Sequence, residues 1–283
     1  MKKLHENIIE KLLLVSAVAA IFVVALITYF IFADGLPVIQ KYGLAHFITG
    51  IDWHPLEGHF GLLPMIVGSF LVTLGALLIG VPLSVGCAIF LAEIAPKQVT
   101  GLVKPAIELL AGIPSVVYGF YGLVILVPFI REVFGGRGFS ILSGSIVLAI
   151  MILPTIVNIS EDAIRAVPKD YKEGSLALGA THWQTIKKVI VPSARSGILT
   201  AIVLGMGRAI GETMAVIMVV GNVSVLPESI LDPVRTLTGN IAIEMSYAAG
   251  EHSQALFATG IVLFVIIMIL NLLVTLVPKR VGE

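Results

Sequence analysis

Two ionisable residues sit where a membrane would exclude charge. Arg208 and Glu212 lie in the stretch GMGRAIGET at 205–213, inside the apolar run 197–221. A charge at mid-membrane costs about 2.5–3.5 kcal/mol on insertion scales, so it needs a partner or a purpose. Spaced four apart, the two side chains are expected on one helical face, where each offsets the other. Two readings follow. The pair either makes the helix tolerable in a bilayer, or it presents a fixed cation to a passing anion. Arginine suits the second, because its planar fork matches the oxygens of phosphate-like groups. Gly205, Gly207, Ala209 and Gly211 would let a neighbouring backbone come close.

A second pattern lies in the apolar run 105–130. Glu108, Gly112, Ser115, Gly119 and Gly122 recur at spacings of four and three, which is one helical face. The Gly112-Ile113-Pro114 break frees backbone groups, and a membrane tolerates this only where protein or a water-filled cavity satisfies them. A helix interrupted there can aim N–H groups at an anion, which makes Ser115 a candidate pathway residue. The same face would equally serve as a packing groove.

Other chemistry finds no residues to carry it. All six histidines (His5, His46, His54, His59, His182, His252) fall outside the apolar runs, which leaves an intramembrane protease without a base or metal ligand. No G-x-x-x-x-G-K-[ST] occurs, so ATP cannot be held through a P-loop of this chain. Net charge is zero and offers no footprint for nucleic acid. The single Cys87 excludes an internal disulfide and reads as a small core residue. The expectation is a chain with no cofactor, no metal and no enzymatic activity of its own.

These residues must be positioned by helices in lipid. The chain is 57% hydrophobic and 13% charged, well outside soluble proportions. Six apolar runs approach or exceed the roughly 20 residues that a bilayer demands of a helix. They are 12–33, 62–92 (broken at Gly80-Val81-Pro82), 105–130, 141–160 (with Pro154 inside), 197–221 and 255–277. The expected fold is an all-α integral membrane protein with six transmembrane helices. Segments 34–60 and 222–254 are expected as long loops. Thirteen of the 18 lysines and arginines fall in the segments on the N-terminal side of the membrane; Lys41, Arg131, Arg137 and Arg235 fall opposite, and Arg208 lies in a span. The positive-inside rule then places both termini and the 161–196 segment in the cytoplasm of a multi-pass protein of the cell membrane.

The longest polar and basic stretch between spans is 173–192, EGSLALGATHWQTIKKVIVP. It reads as two short helices and a turn. Pro168 suits the first helical position, Gly179 supplies the left-handed residue that closes the first helix, and Thr181 with Gln184 forms a capping box for the second. Pro192 is expected to end the pattern. Such a helical hairpin outside the membrane suits docking onto another protein.

Glu173, Gly179 and Pro192 keep the spacing of the E-A-A-x3-G-x9-I-x-L-P loop of ABC-importer permeases, with Gly174 and Ser175 for the alanines and Val189 and Val191 for Ile and Leu. The stretches ELLAGIPSVVYG at 108–119, ILP at 152–154 with DAIRAVP at 162–168, GRAIGETMAV at 207–216 and TGNIAIEMSYAA at 238–249 extend the likeness. The chain resembles the PstC-type permeases of phosphate ABC importers over nearly its whole length; the sister PstA-type permeases are the nearest confusable relatives. The resemblance implies that the last five helices form a type I importer core, over a domain at 62–278 that follows an N-terminal tail, helix and outer loop at 1–61. It implies a coupling helix-turn-helix at 168–192 and four kinds of contact: a PstA-like second permease, a PstB-like ATPase dimer, a PstS-like extracytoplasmic phosphate-binding protein received by the outer loops, and the lipid bilayer. The alternatives are a stand-alone anion channel or proton-coupled carrier relaying through Arg208 and Glu212, or a permease for sulfate or molybdate.

Overall fold

A bilayer offers no water to backbone N–H and C=O groups, so apolar runs of this length close their hydrogen bonds within helices. The computed structural model describes residues 2–275, with side chains for 9–272. It opens with α1 (Lys2–Tyr42), α2 (Leu44–Thr49) and a minimal hairpin of β1 (Trp53–His54) and β2 (His59–Phe60). α3 (Leu63–Ile89) ends in a π turn at Phe90–Ile94 and is followed by α4 (Lys97–Gly112). α5 (Ser115–Tyr121) continues through a second π turn, Gly122–Leu126, into α6 (Val127–Phe134). α7 (Ile141–Arg165) leads into a helical hairpin of α8 (Lys169–Ala177), α9 (His182–Thr185), a third π turn at Ile186–Ile190 and α10 (Val191–Ser193). α11 (Arg195–Gly211), α12 (Met214–Val219), α13 (Leu237–Glu244) and α14 (Glu251–Thr275) complete the described chain.

Among the described residues five uninterrupted helical stretches are long and apolar enough to cross a membrane: Ile9–Tyr42, Leu63–Ile94, Ser115–Phe134, Ile141–Arg165 and Glu251–Leu272. A sixth is reached only by joining His182–Ser193 to Arg195–Gly211, which meet at 66°. α7 is the core helix, with 67% of its apolar window buried, whereas the window of α1 is 0% buried and belongs to the periphery. Small residues let neighbours close on α7. A Cβ added to Gly75 of α3 would lie 2.3 Å from Ser145 Oγ, and one on Gly205 of α11 would lie 2.7 Å from Ile156.

Four expectations change. The first helix does not stop at 33 but runs through Pro37 to Tyr42, because Gly35 lets α1 press on the α14 backbone and Lys41 and Tyr42 both bind Glu251 of α14. α3 is not broken at Gly80-Val81-Pro82; Gly80 is sealed against Ile152 of α7, and packing holds the helix through the proline. The third span is not 105–130 but Ser115–Phe134, since Ile113 and Pro114 are extended (ψ 127° and 141°) and a residue before proline avoids the helical region. The fifth is not one helix over 197–221: it breaks at Glu212-Thr213. The last residues expected of the sixth span, 276–277, and the charges of Lys279 and Arg280 lie outside the described residues.

Candidate functional site

The two broken helices are brought together. α5 packs on α12 through glycines: a Cβ on Gly119 would lie 2.8 Å from Ala215 Cα, and one on Gly122 would lie 2.7 Å from Val219. This sets the Ile113-Pro114 break beside the Glu212-Thr213 break. Each break is stitched by a side chain. Tyr118 donates its hydroxyl to the Leu110 carbonyl at 2.7 Å across the first. At the second, Glu212 Oε1 accepts the Ala215 N–H at 3.1 Å, and Thr238 Oγ1 of α13 donates to the Glu212 carbonyl at 3.0 Å. Backbone groups freed inside the membrane are thus met by protein, as hydrocarbon requires.

The expected pairing of Arg208 with Glu212 is not made. Glu212 has left the helix (ψ 132°), so the four-residue spacing no longer places it on the face of Arg208, and its carboxylate is spent on the α12 N-terminus. Arg208 makes no hydrogen bond or ion pair among the described residues, and it is exposed. It stands in the last turn of α11, four residues before the second break. The small residues divide: Gly205 and Ala209 are buried towards α7, while a Cβ on Gly207 or Gly211 would meet nothing within 4 Å. Arg208 therefore stands on an open, glycine-lined face. The proposed five-residue stripe also divides, with Glu108 and Gly112 exposed on α4 and Gly119 and Gly122 buried against α12. Ser115 begins α5, half-buried, at the seam between them.

The hairpin carries the three docking candidates outside the bundle. Glu173 is exposed on α8, which buries none of its residues. Gly179 sits at φ 86°, a conformation that side-chain-bearing residues resist. Thr181 and Gln184 form both bonds of the capping box. Pro168 stands one position before α8 rather than at its first residue. Pro192 does not end the second arm, which continues to Ser193 and bends only at Ala194. The wide π turn at Ile186–Ile190 accommodates a ring that an α-helix would reject. That arm is anchored by Ile186 and Ile190, 2% and 1% exposed.

A polar cluster at the opposite end escaped the sequence reading. Arg235 donates to the Asn222 carbonyl (3.0 Å), Asn240 Oδ1 (3.0 Å) and Glu244 Oε1 (2.5 Å). Glu244 Oε2 takes Trp53 Nε1 at 2.9 Å and faces His252 Nε2 at 2.8 Å. Trp53 comes from the hairpin after α2, and no spacing joins it to residue 244. His252 also lies within an apolar helix rather than the expected loop. Among the described residues no group of three or more His, Cys, Asp and Glu side chains could hold a metal.

Residues 80–283 match the family of binding-protein-dependent transport system inner membrane components. The chain belongs to that family. Among curated relatives, a probable ABC transporter permease protein, YqgH of Bacillus subtilis, is 46% identical over 95% of this chain and 90% of its own length. The phosphate transport system permease proteins PstC of Mesorhizobium japonicum and Pasteurella multocida are 37% and 38% identical, covering 88% and 84% of this chain and 83% and 82% of theirs. Among solved structures, a bacterial ABC transporter involved in alginate import overlays 98% of this chain and 100% of its own at TM-score 0.66 with 17% identity. The MetNI methionine ABC transporter, facing inward, overlays 82% and 100% at TM-score 0.63 with 18% identity. Those likenesses establish the fold: the multi-pass, predominantly helical fold of ABC-importer permeases, here with one minimal hairpin of β1 and β2. The family match begins within α3 and leaves α1, α2 and the β hairpin outside.

Proposed function

We propose that this chain is the permease subunit of an ATP-driven inorganic phosphate importer, forming half of the translocation path. The observation that carries the reading is near-full-length identity of 37–38% to phosphate permeases of the PstC type. The open face around Arg208, with Gly207 and Gly211 free of neighbours, supports a path completed by a second, PstA-like permease. The exposed hairpin supports docking of a PstB-like ATPase dimer at Glu173, Gly179 and Pro192, and the end bearing Trp53 and Glu244 would receive a PstS-like phosphate-binding protein. ATP would close the ATPase, move the hairpin and rock the spans between inward and outward access. Arg208 would meet the anion beside Ser115, and Glu212 would hold the break open instead of pairing with Arg208. The importer core would span 62–278, after the segment 1–61. A stand-alone channel or carrier relaying through Arg208 and Glu212 loses its relay, since the pair is not formed.

The test is reconstitution of the full complex in proteoliposomes, with ATP-dependent uptake of phosphate compared with sulfate and molybdate. Uptake of phosphate above the others is expected; preference for another oxyanion overturns the cargo. For orientation, in a Cys87→Ser background, His182→Cys should resist an impermeant thiol reagent in intact cells and His54→Cys should react. The reverse pattern would invert the topology.

A further inference from the structure

At the hairpin end, two carboxylates connect elements that the chain order keeps apart. Glu93, in the π turn that closes α3, accepts Lys172 Nζ of α8 at 2.6 Å and lies 3.8 Å from His182 Nε2 of α9. Its side chain is 10% exposed. Glu161 of α7, 1% exposed, accepts Arg165 Nε at 2.7 Å and faces Lys104 Nζ of α4 at 3.3 Å. Arg165 donates its other arm to the Leu91 carbonyl at 2.9 Å, two residues before Glu93. A continuous line of contacts therefore runs from the hairpin to Glu93, back to Leu91, through Arg165 and Glu161 to Lys104, and along α4 to the Ile113-Pro114 break.

α8 buries none of its residues fully. Ser175 binds only Thr185, within the hairpin itself. Among the described residues, Lys172 to Glu93 is the one polar tie between α8 and a span. The tie lands on a π turn, a helical segment frequent at functional sites. A partly buried, hydrogen-bonded pair resists displacement more than an exposed pair.

We propose that Glu93 is a positioning residue that passes movement of the hairpin to α3 and, through Arg165, Glu161 and Lys104, to α4 and the break near Arg208. The inference rests on the hairpin being the ATPase dock. It names which contacts would turn hydrolysis into movement of the spans.

The test uses the complete complex. Glu93→Gln should assemble with its ATPase and hydrolyse ATP at near the normal rate, yet import about tenfold less phosphate per ATP, the size of an ordinary coupling between sites. Glu93→Lys should do the same, and adding Lys172→Glu to it should recover most of the yield. Loss of the ATPase subunit, an equal fall in hydrolysis and uptake, an unchanged yield, or a swapped pair no better than Glu93→Lys alone would each overturn the inference. A second measurement is independent of cargo. With Cys87→Ser, spin labels at Asp170 on α8 and Leu102 on α4, 76% exposed, should hold one separation with and without ATP. In Glu93→Gln that separation should shift when ATP binds, and a fixed separation there overturns the proposal. A wild-type complex that hydrolyses ATP without importing phosphate would sink the cargo assignment, while the labels still decide the role of Glu93.

Discussion

At one end of the bundle Glu244 is enclosed by Arg235, Trp53 and His252, drawn from three separate stretches of chain. At the other, α8 buries no residue fully and is tied to the spans through Lys172 and Glu93. Both ends use ion pairs, yet they differ in what an opened pair would leave behind. Opening the first strands Glu244 and a half-buried Arg235 together, which is strongly unfavourable; opening the second returns Lys172 to water and strands Glu93 alone. A cluster of the first kind fixes geometry, and a tie of the second kind permits movement. The contrast predicts that substitutions at the Glu244 end register as stability, and substitutions at the hairpin as coupling.

The sharpest way to break this contrast is Glu244→Ala. It leaves Arg235, half-buried, without its carboxylate and strips Trp53 and His252 of their shared acceptor, and should destabilise the chain by about 3 kcal/mol, read as a lower melting temperature or loss of inserted protein. Lys172→Ala should cost less, about 1–2 kcal/mol, because it removes the more exposed partner of a single charge-assisted hydrogen bond. Equal shifts in melting temperature at the two ends would end the comparison.

Gly179→Asp should act in the opposite sense. The positive φ strains most side-chain-bearing residues by about 1–2 kcal/mol and aspartate less than most; the strain is confined to an exposed turn, and the added bulk and charge face the docking partner. Insertion should persist while the ATPase dissociates or uptake fails. Normal uptake by a fully assembled variant would remove the hairpin from docking.

Arg208 belongs to neither end and tests the middle. Arg208→Gln should insert and assemble yet import poorly, with Arg208→Lys intermediate because a point charge replaces a fork. Adding Glu212→Gln should not restore uptake, since the two side chains do not pair. Recovery in the double variant would return the pair to a structural role and take Arg208 out of the path.

The smallest effect is expected from Thr181→Ala. Loss of the capping box should cost about 1 kcal/mol, visible as faster amide exchange at the start of α9 with the melting temperature unchanged. A fall in melting temperature comparable to that of Glu244→Ala would mean that the hairpin is part of the core.

Local signals carried much of this molecule. Length and apolarity of the runs dictated helices in a membrane, because backbone groups in lipid have no other partners. Gly179 and the Thr181–Gln184 box were legible because a left-handed residue and a cap satisfy the hydrogen bonds of their own turn. The Glu173, Gly179 and Pro192 spacing pointed to the permease family for the same reason: the motif lies within one continuous hairpin. Tertiary structure decided whatever depended on a neighbour. Gly80 and Pro82 do not break α3 because Ile152 packs there, whereas Pro114 and Glu212 mark true breaks because Tyr118 and Thr238 receive the freed backbone. Glu212 is four residues from Arg208 on any helical wheel, yet it caps α12, since the break turns it away. Trp53 meets Glu244, and Lys172 meets Glu93, across separations that no periodicity spans. Sequence spacing measures distance along one helix, and these contacts exist only after separate helices have been packed side by side.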